Sequence, residues 1–286
     1  RPRGRGSVAS LRDMAPFSVS LMLTDLISTF YMKLPQFFLG KLYPTATLGA
    51  FDQAVKLKDM PVTAATQSVQ SVTFPALSEV RGDAPKFAES YRQVVLITAY
   101  VMFPAMLGLS AVAHDLFALL LSEKWMPTVP YFEVVCLAGL FYPVGMICYN
   151  VLKVMSRGPL IVRLEVVKKL LMTVVFAVTI PHSVTAVVWG LVVIAFGEMA
   201  VNFLATRRFT RFTTRRFLRT LLPVALVSGT MYLLVRLTAC AVPGHLLLRL
   251  AAQLLVGAAA YVGLSVLFRL EAFGLLCDLM KKQAAR

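Results

Sequence analysis

Eight stretches of about twenty mostly apolar residues follow one another along the chain, and a segment of that length is what a helix needs to cross the ~30 Å hydrocarbon core of a bilayer. They cover residues 14–39, 54–77, 94–113, 131–152, 160–180, 184–205, 217–235 and 250–268. Backbone polar groups in hydrocarbon must be satisfied within the segment, so each stretch reads as a helix. The fold class is therefore an all-α polytopic membrane protein of about eight transmembrane helices. The second stretch is the weakest, because Lys56, Lys58, Asp59, Gln67 and Gln70 interrupt it.

Charge supplies the test. The chain carries 29 Lys and Arg against 14 Asp and Glu, a formal net charge of +15. A pI near 10 would suit a nucleic-acid partner, but 58% hydrophobic and only 15% charged residues do not. Lys and Arg accumulate in cytoplasmic loops of membrane proteins. With all eight stretches crossing, one side collects the tail 1–13 (Arg1, Arg3, Arg5, Arg12), then Arg81, Lys86 and Arg92, then Lys153, Arg157, Arg163, Lys168 and Lys169. The run Arg207 to Arg219 and the tail 269–286 fall on the same side. The other side holds only Lys41, Lys124, Arg236 and Arg249, and Lys33, Lys56 and Lys58 lie within spans. Dropping the second span would scramble this alternation, so it is kept. Both ends of the chain are then cytoplasmic. The Phe-interleaved basic run 207–219 reads as topology plus attraction to anionic headgroups, worth about 1 kcal/mol per basic residue, and not as a nucleic-acid site.

Catalysis finds no support. Cys136, Cys148, Cys240 and Cys277 show no CxxC or Cys/His spacing, and His114, His182 and His245 are scattered. No Ser/His/Asp, HExxH, P-loop or GxGxxG arrangement stands in a usable context. The reading is a transporter rather than an enzyme, with no cofactor and no metal. Internal prolines at 35, 61, 75, 104, 143 and 223 supply kinks and free backbone groups, which suit a bundle that opens alternately to either side.

Intramembrane polar residues mark the candidate site, since a charge at a helix centre costs roughly 2.5 to 3.5 kcal/mol on an insertion scale. Asp25 and Lys33 lie eight positions apart, on about one face of the first span. Asp59, Thr63, Thr66, Gln70 and Thr73 make a polar stripe at helical spacing along the second, with Lys56 and Gln67 at its edges. Such a stripe lines either a helix interface or an aqueous lumen. Hydroxyls and amides suit a sugar-like solute, and lysines suit phosphate. Glu133 and Glu198 are candidate ion-coupling carboxylates, Glu198 the better placed, although a structural hydrogen-bonded Glu has the same signature.

The blocks Phe51-Asp-Gln-Ala-Val-Lys-Leu-Lys-Asp-Met-Pro61, Val69-Gln-Ser-Val-Thr-Phe-Pro-Ala-Leu-Ser-Glu79 with Tyr91-Arg92, Leu119-Leu-Leu-Ser-Glu-Lys-Trp-Met-Pro127 and Cys136-Leu-Ala-Gly-Leu-Phe-Tyr-Pro143 occur in this order. Together they resemble the polysaccharide-transporter (Wzx-like) branch of the MOP exporter superfamily. The resemblance implies two six-helix lobes, of which 14–206 is the C-terminal one, joined by the basic loop 207–219 to two additional helices in 220–268. It implies a partner lobe of six further helices that precedes this chain. The implied activity is flipping of undecaprenyl-pyrophosphate-linked oligosaccharide across the bacterial inner membrane by alternating access, with membrane lipids, a polysaccharide polymerase and a chain-length protein as partners. Lys33 and Lys56 would engage the pyrophosphate, and Gln67 and Gln70 the sugar hydroxyls. Gln53 stands where relatives often carry a basic residue. The alternatives are a multidrug/cation antiporter of the same superfamily and a membrane-embedded polymerase or glycosyltransferase, for which the outer segment 113–130 is short.

Overall fold

The computed structural model describes residues 29, 31, 33–155, 158–210, 212–242 and 245–276. The chain divides into two compact units, residues 1–48 and 49–286. In the first, residues 33–42 form a helical run, α1, with Leu39 buried and the rings of Phe37 and Phe38 meeting edge to face at 5.6 Å.

The long helices follow in order: α2 (Thr45–Glu79), α3 (Ala84–Leu120), a 3-10 turn (Glu123–Thr128), α4 (Val129–Val154), α5 (Gly158–Thr179), α6 (Val184–Thr206), α7 (Thr214–Ala241) and α8 (Leu246–Leu267). Their starts are written in the sequence. Asp83 caps α3 by accepting the Lys86 backbone N–H at 3.1 Å, with Pro85 in the first turn, where a missing N–H costs nothing. That hydrogen bond holds the Asp83 carboxyl below the usual carboxylate range. Ser183 accepts from the Ala186 N–H at the head of α6, and Thr213 from the Arg216 N–H at the head of α7.

Among the described residues, five segments are long and apolar enough to cross a membrane by length and composition: α3, the 3-10 turn with α4, α6, α7 and α8. The eight expected spans are thus not equivalent. At 35 and 22 residues, α2 and α5 are long enough, but charged side chains interrupt both: Lys56, Lys58 and Asp59 in α2, and Arg163, Glu165, Lys168 and Lys169 in α5. The stretch 14–39 lies mostly outside the described residues. Helices also outrun their apolar segments. The 37 residues of α3 extend about 55 Å at 1.5 Å per residue, well beyond the hydrocarbon core.

In the second unit α4 packs between α3 and α6, α5 lies against α6, and α7 and α8 pack on each other and on α3. The core runs along α3 and α4 through Phe87, Tyr91, Met106, Ile147 and Leu152. Phe203, Phe212 and Phe217 close its end where α6 turns into α7, Phe203 and Phe217 stacking at 3.9 Å. The buried Tyr91 hydroxyl sits 3.0 Å from Cys148 Sγ and 3.2 Å from Thr206 Oγ1. Buried polar groups need such partners. The Tyr261 hydroxyl of α8 likewise donates to the Tyr100 carbonyl of α3 at 2.6 Å. Tyr261→Phe is expected to lower unfolding stability by about 1 kcal/mol, read by thermal unfolding of the purified protein.

Outward faces are apolar. Val162, Val166, Leu170, Val174 and Val178 form a row down α5, and Leu218, Leu222, Leu226, Leu233 and Leu237 line α7, all exposed. Apolar area of this extent is unstable in water and suited to lipid.

Candidate functional site

The polar face of α2 is the exception to that rule. Lys56, Met60, Thr63, Gln67, Ser71, Phe74 and Ser78 follow one another at steps of three or four residues, which places them on one side of the helix, and all are exposed. On the side packed inward stand Phe51, Ala54, Val62, Thr66, Thr73 and Leu77. The stripe Asp59, Thr63, Thr66, Gln70, Thr73 is thereby divided. Thr66 and Thr73 are buried, the Thr66 hydroxyl donating to the Val62 carbonyl at 2.6 Å, whereas Thr63 is open and Asp59 and Gln70 are half-buried. The spacing 4, 3, 4, 3 slowly rotates around the helix, so it runs along the border between the two faces.

Serines belong to the open side and were not part of the expected site. Ser68, Ser71 and Ser78 donate to the carbonyls of Ala64, Ser68 and Phe74, leaving their oxygens able to accept from a solute. Extending the spacing from Lys56 would have found Ser71 and Ser78.

Lys56 Nζ lies 2.7 Å from Asp52, one turn earlier, and its side chain is 66% exposed. An exposed pair of this kind is worth no more than about 1 kcal/mol, so a bound anion can displace it. Asp59 pairs with Lys58. Lys33 is exposed on α1, in the first unit, and Asp25 lies outside the described residues.

The two expected coupling carboxylates differ. Glu133 accepts from Arg236 of α7 at 2.8 Å, and its backbone carbonyl takes the Ser110 hydroxyl, so it ties α4 to α7 and α3. Glu198 of α6 is half-buried and feels the charges of Lys168, Lys169 and Glu165 on α5. Tyr142 of α4 is within electrostatic reach of both Glu198 and Asp59. The fold thus brings Asp59 and Glu198 from two other helices within electrostatic reach of Tyr142. Nearby, Tyr149 takes two ammonium groups on its ring, Lys153 at 4.6 Å and Lys168 at 5.0 Å, and Lys168 also pairs with Glu165. This accounts for a buried lysine, since its charge has an acid and a ring face within reach.

Chemically, the open face of α2 offers an ammonium, a primary amide, several hydroxyls and two apolar side chains in a line. That is a surface for binding a hydroxylated, anionic, partly apolar solute.

The family described as "Polysaccharide biosynthesis protein" matches residues 1–130. The chain is 24% identical over 209 residues to an "Uncharacterized membrane protein in cps region" of Klebsiella pneumoniae, covering 72% of this chain and 42% of that one. It is 25% identical over 145 residues to "Lipopolysaccharide biosynthesis protein WzxC" of Escherichia coli strain K12, covering 51% of this chain and 30% of that one. It is 22% identical over 130 residues to "Teichuronic acid biosynthesis protein TuaB" of Bacillus subtilis strain 168, covering 46% and 27%. Among solved structures, "Lipid II flippase MurJ, inward closed conformation" superposes with a TM-score of 0.71 at 14% identity, over 90% of this chain and 55% of that one. The chain spans less than half the length of the curated relatives it matches. Its fold is like that of this solved structure, and it is a multi-pass membrane protein.

Proposed function

We propose, for a relative of the MOP-type polysaccharide transporters, that this chain forms one half of a flippase that moves undecaprenyl-pyrophosphate-linked oligosaccharide across the bacterial inner membrane by alternating access. The observation that carries the reading is the open polar face of α2. A row of ammonium, amide and hydroxyl groups is unstable against lipid, whereas the outward faces of α5 and α7 are apolar. The α2 face therefore lines an aqueous lumen, closed by helices beyond this chain, whose span is 55% of the MurJ chain and 42% or less of the curated relatives it matches.

In this reading Lys56 exchanges Asp52 for pyrophosphate oxygens, and Lys33 and Asp25 are further candidate substrate-binding residues. Thr63, Gln67 and Gln70 exchange hydrogen bonds with sugar hydroxyls, and Asp59 sets the charge balance at the lumen wall. Glu198 is the coupling carboxylate, and Glu133, held by Arg236, is structural. Residues 14–206 act as the moving lobe and α7 and α8 as helices braced against its α3. The basic tails and loops face the cytoplasm, and the product passes outside to a polymerase and a chain-length protein. Transport rather than catalysis is part of the same reading, supported by the likeness to a lipid II flippase.

The test is export in the cell. Lys56→Ala and Gln67→Ala are each expected to lower surface polysaccharide about tenfold, the loss of one hydrogen bond to a charged or sugar group in the bound state, with membrane abundance unchanged. Leu222→Ala on the lipid face should leave export intact. Normal export by Lys56→Ala and Gln67→Ala together would remove α2 from the lumen.

A further inference from the structure

A cavity of about 550 Å³ opens where α3 and α7 begin and α8 ends, and four arginines line it: Arg92, Arg216, Arg219 and Arg269. Two carboxylates share the wall, Glu89 and Glu271, but both are already taken. Arg92 donates to Glu271 at 2.8 Å and to the two Glu89 oxygens at 3.0 and 2.6 Å. Arg216, Arg219 and Arg269 have no ion pair among the described residues and leave the cavity positive. Arg216 and Arg219 stand three residues apart on one face of the first turns of α7, where the N-terminal peptide dipoles add to their field.

Arg269 is the unexpected member. It follows α8 with φ of 47°, in the left-handed region, where the closing turn of a helix normally employs Gly. The turn is otherwise regular: Phe268 N–H to the Leu264 carbonyl, and Leu270 N–H to the Ser265 carbonyl, both at 2.9 Å. A side chain at that position is strained and gains nothing for the turn, yet it places a guanidinium on the cavity wall. Strain of this kind concentrates at binding sites.

Below the guanidinium groups the lining turns apolar, through Leu96, Val224 and Phe268. Phe268 is exposed, and so are Leu218 and Leu222 in the same turns of α7 as Arg216, Arg219 and Val224. A small anion needs only the arginines. A ligand that uses both zones carries a phosphate and a hydrocarbon chain, and the bilayer supplies one at this level. We infer that the cavity binds the phosphate of an anionic membrane phospholipid through Arg216, Arg219 and Arg269, at a site separate from the α2 face, with its acyl chains along α7. The lipid clamps α3, α7 and the end of α8 to one another.

The intact chain, purified in a neutral detergent, is offered phosphatidylglycerol, phosphatidylcholine or inorganic phosphate, with retained lipid read by native mass spectrometry and Tm by thermal unfolding. Phosphatidylglycerol should be retained in preference to phosphatidylcholine and should raise Tm. Removing Arg216 and Arg219 together (R216Q with R219Q) should lower that preference about fivefold per arginine. Arg269→Gly separates binding from folding. Gly accepts the left-handed backbone, so the lipid-free Tm should hold or rise while the preference falls. Equal retention of the two lipids, or an unchanged preference in Arg269→Gly, would overturn the proposal. Inorganic phosphate raising Tm as much as phosphatidylglycerol would overturn the lipid assignment in favour of a soluble phosphate.

Discussion

Asp115→Leu should cost the protein about 3 kcal/mol of unfolding stability, the low end of the range for stranding one partner of a buried ion pair. The Asp115 carboxylate, in the last turns of α3, is 4% exposed. It accepts from Arg249 at the head of α8 in a two-pronged arrangement, Nε to Oδ2 at 2.8 Å and Nη2 to Oδ1, with His114 Nδ1 3.2 Å away. Such a fork is directional as well as strong. Arg249 is 26% exposed, so solvent recovers part of its lost interaction, which sets the estimate low. The double variant Asp115→Leu with Arg249→Met should regain most of the stability, because two well-packed apolar groups replace a pair whose desolvation is costly. Unfolding of the four members of this cycle in detergent reads the coupling directly. A single Asp115→Leu within about 1 kcal/mol of the parent would show that the pair is solvated.

Neither partner of that pair was identifiable as such from sequence, although both residues were placed on the outer side. They are 134 residues apart, and only the packing of α8 on α3 brings them together. The same holds for Glu133 and Arg236, 103 residues apart, which is why Glu133 reads as a lone intramembrane carboxylate until α7 is placed. Local physics was far more legible. The stretches 184–205 and 160–180 agree with α6 and α5 to within two residues at each end, because Ser183 and the breaks around Arg157 and Pro181 mark helix ends in the sequence itself. For α3, hydropathy finds only the central part, since the helix continues through Lys86, Glu89 and Arg92, whose charges end the apolar run without ending the hydrogen-bonded ladder. On α2 the periodicity showed that a polar face exists but not which residues turn inward. That depends on Val62 and Leu77 finding the core, which carries Thr66 and Thr73 in with them.

The largest loss is expected from Gly145→Leu, which should keep α4 and α6 from packing and lower stability by at least about 3 kcal/mol. A Cβ at this position would sit 3.2 Å from the Met199 Cα and 3.5 Å from its backbone nitrogen. Backbone cannot swing aside as a side chain does, so the whole of α6 must move. Membrane helices use small residues at such crossings to bring backbones into contact, in the absence of a hydrophobic drive between helices. The approach also carries a hydrogen bond, from Asn202 Nδ2 to the Gly145 carbonyl at 3.2 Å, which any separation breaks. Gly139, two turns earlier, is the control. Its Cβ would come closer to a neighbour, 2.6 Å, but the neighbour is the Met106 Sδ, the flexible end of a side chain that can change rotamer. Gly139→Ala should therefore cost less than Gly145→Ala despite the shorter distance, and both far less than Gly145→Leu. Membrane abundance and Tm of the three variants give the order directly. The crossing also positions Glu198, the residue before Met199, near Tyr142. Gly145→Ala should therefore reduce export more than it reduces abundance if Glu198 is the coupling carboxylate, whereas Gly139→Ala should reduce the two in step. A Gly139→Ala protein less stable than Gly145→Ala would show that the Met106 side chain, and not the α4–α6 backbone contact, limits packing on α4.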